Sequence, residues 1–388
     1  MASWATRLPA IRDDLHLSTG RLGLVLLAVS VGSVSMLPWA GALVRTFGPA
    51  RTVVMGVITA VTGIALVGVA PTVWTLVAGL VLTGSGIGAW DVAMNVEGAE
   101  VERRIGRAIM PRFHAAFSLG TVFGAGVGAL SAAGSVPVRV HLPVVAALVL
   151  VVAVLGTRNF LPAPTRPAPT SAIEPTTAIE AAAAGAARGQ LSAWLESTTL
   201  LIGVLVFSMA LAEGSANDWL ALAVVDGYGA VHAVAAVVFG VFVTGMTTMR
   251  MAGPLLLNRF DHVLVLRASA GLVLLGTGLV IAGAIRAGGA GSAFDYVLAA
   301  GGALLWGMGA ALGFPMGMTA AAADPARSAA RVGVVSTIGY TAFLAGPPLL
   351  GALGQHIGIA RSLVAVSGAV LLALVTAGAV RQPGRVQT

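Results

Sequence analysis

The sequence predicts an all-α polytopic membrane protein with about 11 complete spans. Of its 388 residues, 57% are hydrophobic and only 10% are charged, whereas a soluble domain needs far more charge to cover its surface. Apolar segments of roughly 20 residues follow one another, separated by short charged or turn-rich links. The mean hydropathy of +0.94 agrees with this fold class.

Eleven apolar stretches follow an opening segment, Met1 to Thr19, that is too polar to cross a membrane. They run over about Leu22–Val44, Val53–Ala70, Val73–Asn95, Ile109–Leu130, Val140–Leu155, Leu200–Val225, Val234–Leu257, Val263–Ile285, Tyr296–Ala320, Val332–Leu353 and Leu363–Val380. Residues 161–195, rich in Pro, Ala and Thr, are predicted to be a flexible cytoplasmic linker. The linker separates an N-terminal transmembrane half, residues 1–160, from a C-terminal half, residues 196–382.

The distribution of arginine predicts the orientation of these spans. All 22 basic residues are Arg, and assigning the links alternately to the two sides puts 16 on one side and 6 on the other. The positive-inside rule then places the C-terminus in the cytoplasm of a bacterial cell, in a multi-pass inner-membrane protein. A sequence pI near 11.2 is also typical of nucleic-acid-binding proteins. These arginines, however, lie singly or in small groups between apolar spans. This pattern indicates that they set the orientation of the spans, and we expect no nucleic-acid partner.

The two halves resemble each other weakly, as a parallel internal repeat would. Arg45-Thr-Phe-Gly48 corresponds to Asn258-Arg-Phe-Asp261, and Gly84–Gly88 corresponds to Gly307–Gly313, at offsets of about 210 to 225 residues. The C-terminal half has six predicted spans and the N-terminal half only five. We therefore predict two six-helix halves with the first helix largely missing, and about 20 further apolar residues encoded before Met1.

A stripe of small and polar residues marks the third predicted span. Gly84, Gly88, Asp91 and Asn95 recur at intervals of four, three and four, which places them on one helix face. The glycines allow a neighbouring helix to come close, and a carboxylate inside a membrane is costly unless it faces a partner or a wet cavity. We interpret Asp91 and Asn95 as lining a polar path; if the helix ended earlier, both would be interfacial.

An acidic run follows this stripe. Glu97, Glu100 and Glu102 stand directly before Arg103 and Arg104. Mixed charges of this kind are typical of a solvated surface. We interpret the run as a salt-bridged loop on the inner side of the membrane.

Glu213 is a second acid inside an apolar span, and Asn217 lies four residues further on the same helix face. Both are predicted to line a cavity. The alternative is that they form a structural hydrogen bond between helices. Trp219 follows, and we interpret it as an anchor at the outer interface.

Several single residues are weaker candidates for the substrate and proton pathway. His114 is suited to relaying protons, and equally to a structural role at a helix end. Trp90, Trp306 and Tyr340 are candidates for stacking on, or bonding to, a polar ligand, with core packing as the alternative. Arg7, near the outer mouth, is interpreted as a loop charge, with neutralisation of an anionic substrate as the alternative.

Other classes of chemistry lack their motifs. The chain has no Cys, and we expect no metal site and no cofactor. The glycine-rich run at Gly84 lies inside an apolar span and follows no strand, so it is not a nucleotide loop. A membrane enzyme or sensor would need a catalytic cluster or a soluble domain, and the sequence predicts neither. The chain is therefore predicted not to be an enzyme.

The link after the first predicted span resembles the loop motif of the major facilitator superfamily, Gly-x-Leu-x-Asp-Arg-x-Gly. Gly41, Leu43 and Gly48 match, whereas Arg45 stands in place of the acid. In the second half, Asn258 takes the acid's place before Arg259, and the basic turn of the first half ends at Arg51. The resemblance implies a major facilitator fold. Because Arg45 and Asn258 replace the motif's acid in the two halves, we do not expect the contact that this acid makes in relatives to form in the same way here.

Four further segments resemble bacterial inner-membrane proteins of the YbjJ type: Ala2–Arg12, Asn95–Gly98, Ala212–Leu220 and Gly339–Gly351. This similarity implies a secondary transporter without naming its cargo, and we separately predict a monomer. A more distant similarity to sugar–proton symporters of the fucose permease kind implies sugars or other polar metabolites as substrates. Protonation of Asp91 or Glu213 would couple transport to the proton gradient. Efflux of a drug or metabolite by the same fold is the alternative.

Overall fold

The computed structural model describes residues 2–106, 110–161, 192–324 and 327–380, which form helices and the turns between them. Eleven helical segments are long and apolar enough to cross a membrane, and this confirms the predicted number of spans. Most of the predicted linker, including residues 162–191, lies outside the described residues.

The N-terminal half begins with two short helices, α1 (Ala2–Ala5) and α2 (Leu8–Asp14). Five long helices follow: α3 (Thr19–Phe47), α4 (Pro49–Gly68), α5 (Val73–Ile105), α6 (Met110–Ala133) and α7 (Val138–Thr157). Side chains at the start of helices accept backbone N–H groups that have no partner inside the helix. Ser18 caps α3 in this way and Thr72 caps α5.

The C-terminal half contains six spans, two of which are broken. Its helices are α8 (Ser197–Tyr228), α9 (His232–Arg259), α10 (His262–Ala287), α11 (Ala293–Ala310), α12 (Gly313–Ala321), α13 (Ser328–Ile357), α14 (Ile359–Ser362) and α15 (Val364–Thr376). A short 3₁₀ turn, Ala377–Val380, continues the last span.

The predicted span Tyr296–Ala320 is confirmed as Ala293–Ala321, but its helix breaks between Ala310 and Gly313, which was not predicted. Pro315 explains the position of the break, since its ring nitrogen cannot donate to the carbonyl of Ala311 four residues earlier. The break divides this one span into two half-helices, α11 and α12.

Helix α5 is longer than predicted, and the interpretation of residues 97–102 as a loop is wrong. Glu100 accepts hydrogen bonds from Arg103 and Arg104, one turn further along, and such pairs favour continuing a helix. Glu97 is not solvated either. It is 7% exposed and accepts the backbone N–H of Leu161 at 2.6 Å, which ties α5 to the end of α7.

The two halves meet closely at one end of the bundle through α3 and α13. A Cβ atom on Gly23 would lie 3.0 Å from the Cα of Gly351, so this approach requires glycine. Further along, the hydroxyl of Ser30 donates to the carbonyl of Phe343 at 3.1 Å. We call the end of the bundle that contains α2, the start of α3 and the end of α13 the closed end. The opposite end, where α3 and α5 terminate, is the open end.

The N-terminal segment packs into the closed end and is not a loop. Arg7 is only 6% exposed and donates to the carbonyl of Val136 at 2.6 Å, which contradicts its interpretation as a loop charge. Burial lowers the pKa of Arg7, and the charge of Asp14 opposes this effect. Ser3 and His141 form a buried hydrogen bond of 2.9 Å beside it. These contacts fasten α1 and α2 to α6 and α7.

Candidate functional site

The predicted stripe on α5 lies against α3. A Cβ on Gly84 would overlap the carbonyl oxygen of Val29, and one on Gly88 would lie 2.8 Å from that of Ser33. The close approach predicted from the glycine spacing is therefore confirmed. One turn further on, Asp91 is exposed, and it lies about midway between the ends of α5.

Asp91 is the centre of a polar cluster that spans the two halves. The amide of Asn95 donates to the Asp91 backbone carbonyl at 2.8 Å and approaches its carboxylate at 3.3 Å. Tyr340 of α13 is close enough for its hydroxyl to interact electrostatically with that carboxylate. Tyr340 is 44% exposed, and its ring lies 6.4 Å from that of Phe314 at the start of α12. We call Asp91, Asn95, Tyr340 and Phe314 the Asp91 cluster.

Glu213 is paired with an arginine from the neighbouring helix. Arg250 of α9 donates to its carboxylate at 2.9 Å, with 19% of the Glu213 side chain and 27% of the Arg250 side chain exposed. Asn217 donates to the backbone carbonyl of Glu213 at 3.0 Å. Two charges held together in this way offset each other's cost of burial in a membrane.

Three tryptophans pack against neighbouring helices, which is the core-packing alternative for Trp306 and Trp90 and contradicts the prediction only for Trp219. Trp306 has no exposed surface, donates to the carbonyl of Ala212 at 3.1 Å and packs against Phe242, so it belongs to the core of the C-terminal half. Trp90 packs against α4, where a Cβ on Gly56 would lie 2.9 Å from its own Cβ. Trp219 is completely buried, because α8 continues to Tyr228, and it is no interfacial anchor. The side chain of His114 lies outside the described residues.

The residues of the loop motif lie at the open end. Gly48 has a φ of +80° and separates α3 from α4, which explains glycine at this position. Gly41 and Arg45 belong to the last two turns of α3, and Arg51 to the first turn of α4. The corresponding pair in the second half, Asn258 and Arg259, ends α9 and is exposed.

A network of charges joins the two halves at the closed end, and the sequence analysis did not predict it. Arg12 of α2 lies 2.6 Å from the carboxylate of Asp226 at the end of α8, and 2.8 Å from that of Asp13. Asp13 in turn lies 3.1 Å from the imidazole of His232 in α9. Burial lowers the pKa of Arg12, but the hydrogen bonds and charges of Asp226 and Asp13 outweigh it, and the net shift is upward.

Among the described residues, two polar groups lie about midway along α5 and α8, and a network of charges joins the halves at the closed end. Among those residues, no cluster of three His, Cys, Asp or Glu side chains could hold a metal ion. The side chains of the two polar groups can form hydrogen bonds and ion pairs and can exchange protons.

The family of the chain decides which class of membrane protein this is. The sequence profile described as Major Facilitator Superfamily matches residues 3–332. The chain belongs to the major facilitator superfamily. It is a multi-pass transporter of this superfamily and not an enzyme, as the sequence predicted.

Three curated proteins illustrate the relationship. An uncharacterized transporter of Sinorhizobium fredii, y4wD, is 30% identical over 96% of this chain and 94% of its own. An uncharacterized MFS-type transporter of Yersinia pestis is 30% identical over 98% of this chain and 90% of its own. Membrane protein MosC of Rhizobium meliloti is 24% identical over 94% of this chain and 82% of its own.

Solved structures share the same major facilitator fold. The nucleoside transporter NupG matches with a TM-score of 0.74 at 15% identity, over 98% of this chain and 95% of that one. A D-xylose-proton symporter matches with a TM-score of 0.70 at 12% identity, over 98% of this chain and 93% of that one. A bacterial homologue of the lysosomal transporter Spinster, in an inward-facing and occupied conformation, matches with a TM-score of 0.68 at 14% identity, over 99% and 95% of the two chains. These likenesses support the predicted fold.

Proposed function

We propose that the protein is a secondary active transporter that carries a small polar solute across a bacterial inner membrane by alternating access, coupled to protons. The observation that carries this proposal is the position of Asp91. Asp91 is exposed, lies midway along a membrane-spanning helix and is within electrostatic range of Tyr340 of the other half. A carboxylate kept at this depth is costly and is typical of a proton or substrate pathway.

The asymmetry between the two ends of the bundle supports alternating access. Glycine contacts and the Arg12–Asp226 ion pair hold the halves together at the closed end. Past Ser30 and Phe343 the next turn of α13 exposes Tyr340, so the space between the halves is accessible there. The distribution of arginine predicts that the open end faces the cytoplasm. In this proposal the structure is an inward-facing state, and rocking of the halves would open the closed end.

Asp91 and Glu213, which both lie about midway along their helices, are suited to different tasks. Protonation of Glu213 would leave the charge of Arg250, 2.9 Å away, without its counter-charge inside the membrane. We therefore assign proton exchange to Asp91, and assign to the Glu213–Arg250 pair the binding of polar groups on the solute. A solute that forms a hydrogen bond with Glu213 or Arg250 can replace part of the interaction between these two side chains. Neither charge is then left without a polar partner.

The solute class follows from the side chains of the Asp91 cluster. Asp91, Asn95 and Tyr340 offer hydrogen-bonding groups, while Tyr340 and Phe314 offer ring faces on which a sugar or a base can stack. Two of the structural neighbours are a nucleoside transporter and a D-xylose-proton symporter. Neutral sugars and nucleosides are therefore the first solutes to test.

The experiment is a proton-flux screen in liposomes that contain the purified protein and a pH-sensitive dye. Addition of a panel of neutral sugars and nucleosides to the outside should acidify the interior for at least one solute. Protein-free liposomes and the Asp91→Asn variant are the matched controls, and neither should show this change. Uptake of radiolabelled solute by the wild type, measured without any accompanying proton movement, would contradict proton coupling.

A further inference from the structure

A groove at the open end of the bundle lies outside the transport pathway described above. It lies between α4 and α7, and its apolar walls include Phe47, Val54, Met55 and Val154. Phe47 is 43% exposed and Met55 is 42% exposed, so the groove opens to the outside of the bundle. In a multi-pass membrane protein, the outer surface of α4 and α7 is in contact with lipid.

Two arginines line the same groove. Arg51 belongs to the first turn of α4, and Arg158 directly follows α7. Both are exposed, and among the described residues no carboxylate pairs with either of them. This differs from Arg103 and Arg104 at the same end of the bundle, which both pair with Glu100.

The first turn of α4 adds positive potential at the same place. The helix begins at Pro49 after Gly48, and no side chain caps its backbone N–H groups. The N-terminus of a long helix carries a partial positive charge and presents N–H donors to an anion. Two guanidinium groups that have no carboxylate partner in the described part of the chain, and an uncapped helix start, therefore converge at the head of an apolar groove.

We propose that this groove binds an anionic phospholipid, whose phosphate lies between Arg51 and Arg158 and whose acyl chain lies along α4 and α7. A soluble anion would have no use for the apolar walls, and a zwitterionic lipid would not neutralise two arginines. Anionic lipids are concentrated in the cytoplasmic leaflet, which the open end is predicted to face. The site does not depend on which solute the protein transports, or on whether it transports protons.

Native mass spectrometry of the purified full-length chain tests this site. Phosphatidylglycerol and phosphatidylcholine with identical acyl chains are added separately to protein in detergent, and the bound fraction is measured. We expect the wild type to prefer phosphatidylglycerol, and Arg51→Gln/Arg158→Gln to lower that affinity about tenfold. The variant Arg51→Lys/Arg158→Lys keeps both positive charges and should keep most of the preference for phosphatidylglycerol. It is used in place of the glutamine variant if that variant does not fold.

Arg112→Gln/Arg267→Gln is the matched control, because it removes two exposed arginines outside the groove. It should bind phosphatidylglycerol as the wild type does. Equal loss in the control and the groove variant would mean that net charge alone attracts the lipid, and would overturn the proposal. So would displacement of the lipid by an excess of soluble glycerol phosphate, since that result assigns the site to a free anion.

Discussion

Arg12 and Asp226 form an ion pair that joins the two halves of the protein at the closed end, with 2.6 Å between Nη1 and Oδ2. One residue comes from the short helix α2, and the other from the end of α8. The pair can form only while the closed end remains closed, so its free energy contributes to the balance between conformations.

Removal of this pair should favour opening of the closed end. A partly exposed ion pair contributes at most about 1 kcal/mol, so Arg12→Gln should raise the open population about fivefold. The chain has no Cys, and a cysteine introduced at Leu17, a buried position at this end, should then react faster with an impermeant maleimide. The exchanged pair Arg12→Asp/Asp226→Arg should restore slow labelling. Equal rates in all variants would mean that the pair has no part in closure.

The Glu213–Arg250 pair should respond to single and double substitution in different ways. Glu213→Gln or Arg250→Gln alone leaves a single charge in the membrane, at a cost on the order of 3 kcal/mol. The double variant removes both charges and should recover most of the thermal stability, while solute binding is lost. Thermal unfolding monitored by fluorescence and a binding assay separate the two effects. A double variant that binds solute as the wild type does would show that the pair is only structural.

Glu196 should make the open end of the C-terminal half sensitive to acid. It precedes α8 and binds Arg331 at 2.7 Å, and it also pairs with Arg327. Burial raises the pKa of Glu196, but the hydrogen bonds of Arg331 and Thr199 and the charges of both arginines outweigh it, so the net shift is downward. Because the folded-state pKa is the lower one, the stabilisation is present at neutral pH and is lost as the pH falls below the ordinary value of 4.5.

The variant Glu196→Gln should therefore have a lower Tm than the wild type at pH 7, and the difference should shrink as the pH falls below about 4. Thermal unfolding in detergent across this range measures it. Glu100→Gln, whose arginine partners lie within the same helix α5, is the control for loss of a carboxylate. A constant difference in Tm across the pH range would disprove this role of Glu196.

The orientation in the membrane has a direct test of its own. Reporters fused after Thr388, or inserted between residues 161 and 195, should be active on the cytoplasmic side, since most arginines lie at that end. An enzyme that functions only in the periplasm serves as the opposite reporter. Periplasmic activity at either position would invert the assignment of the open end.

The sequence predicted the features that depend on spacing along one helix. The stripe of Gly84, Gly88 and Asp91 could be recognised because residues three and four apart share a face. The break before Gly313 was also encoded locally, through Pro315, although it was not predicted. The start of α4 at Pro49 likewise follows the ordinary preference for proline in the first helical turn.

Features that join distant helices could not be predicted in this way. Arg250 entered the sequence analysis only as one arginine of the topology count, and nothing in its spacing connects it with Glu213, 37 residues away. Trp306 lies in a helix that is apolar on most sides, so the sequence does not show which face is buried. Tyr340 was recognised as a candidate, but its neighbours Asp91 and Phe314 come from other helices.

The central claim, that Asp91 exchanges the coupled proton, is tested most directly by the variant Asp91→Asn. Asparagine keeps the size of the side chain and removes its ability to bind and release a proton. In liposomes with an imposed pH gradient, the wild type and Glu100→Gln should accumulate solute. Asp91→Asn should fail to accumulate it, while still exchanging labelled for unlabelled solute at a rate close to that of the wild type. Accumulation by Asp91→Asn equal to that of the wild type, with the same pH dependence, would contradict this role of Asp91.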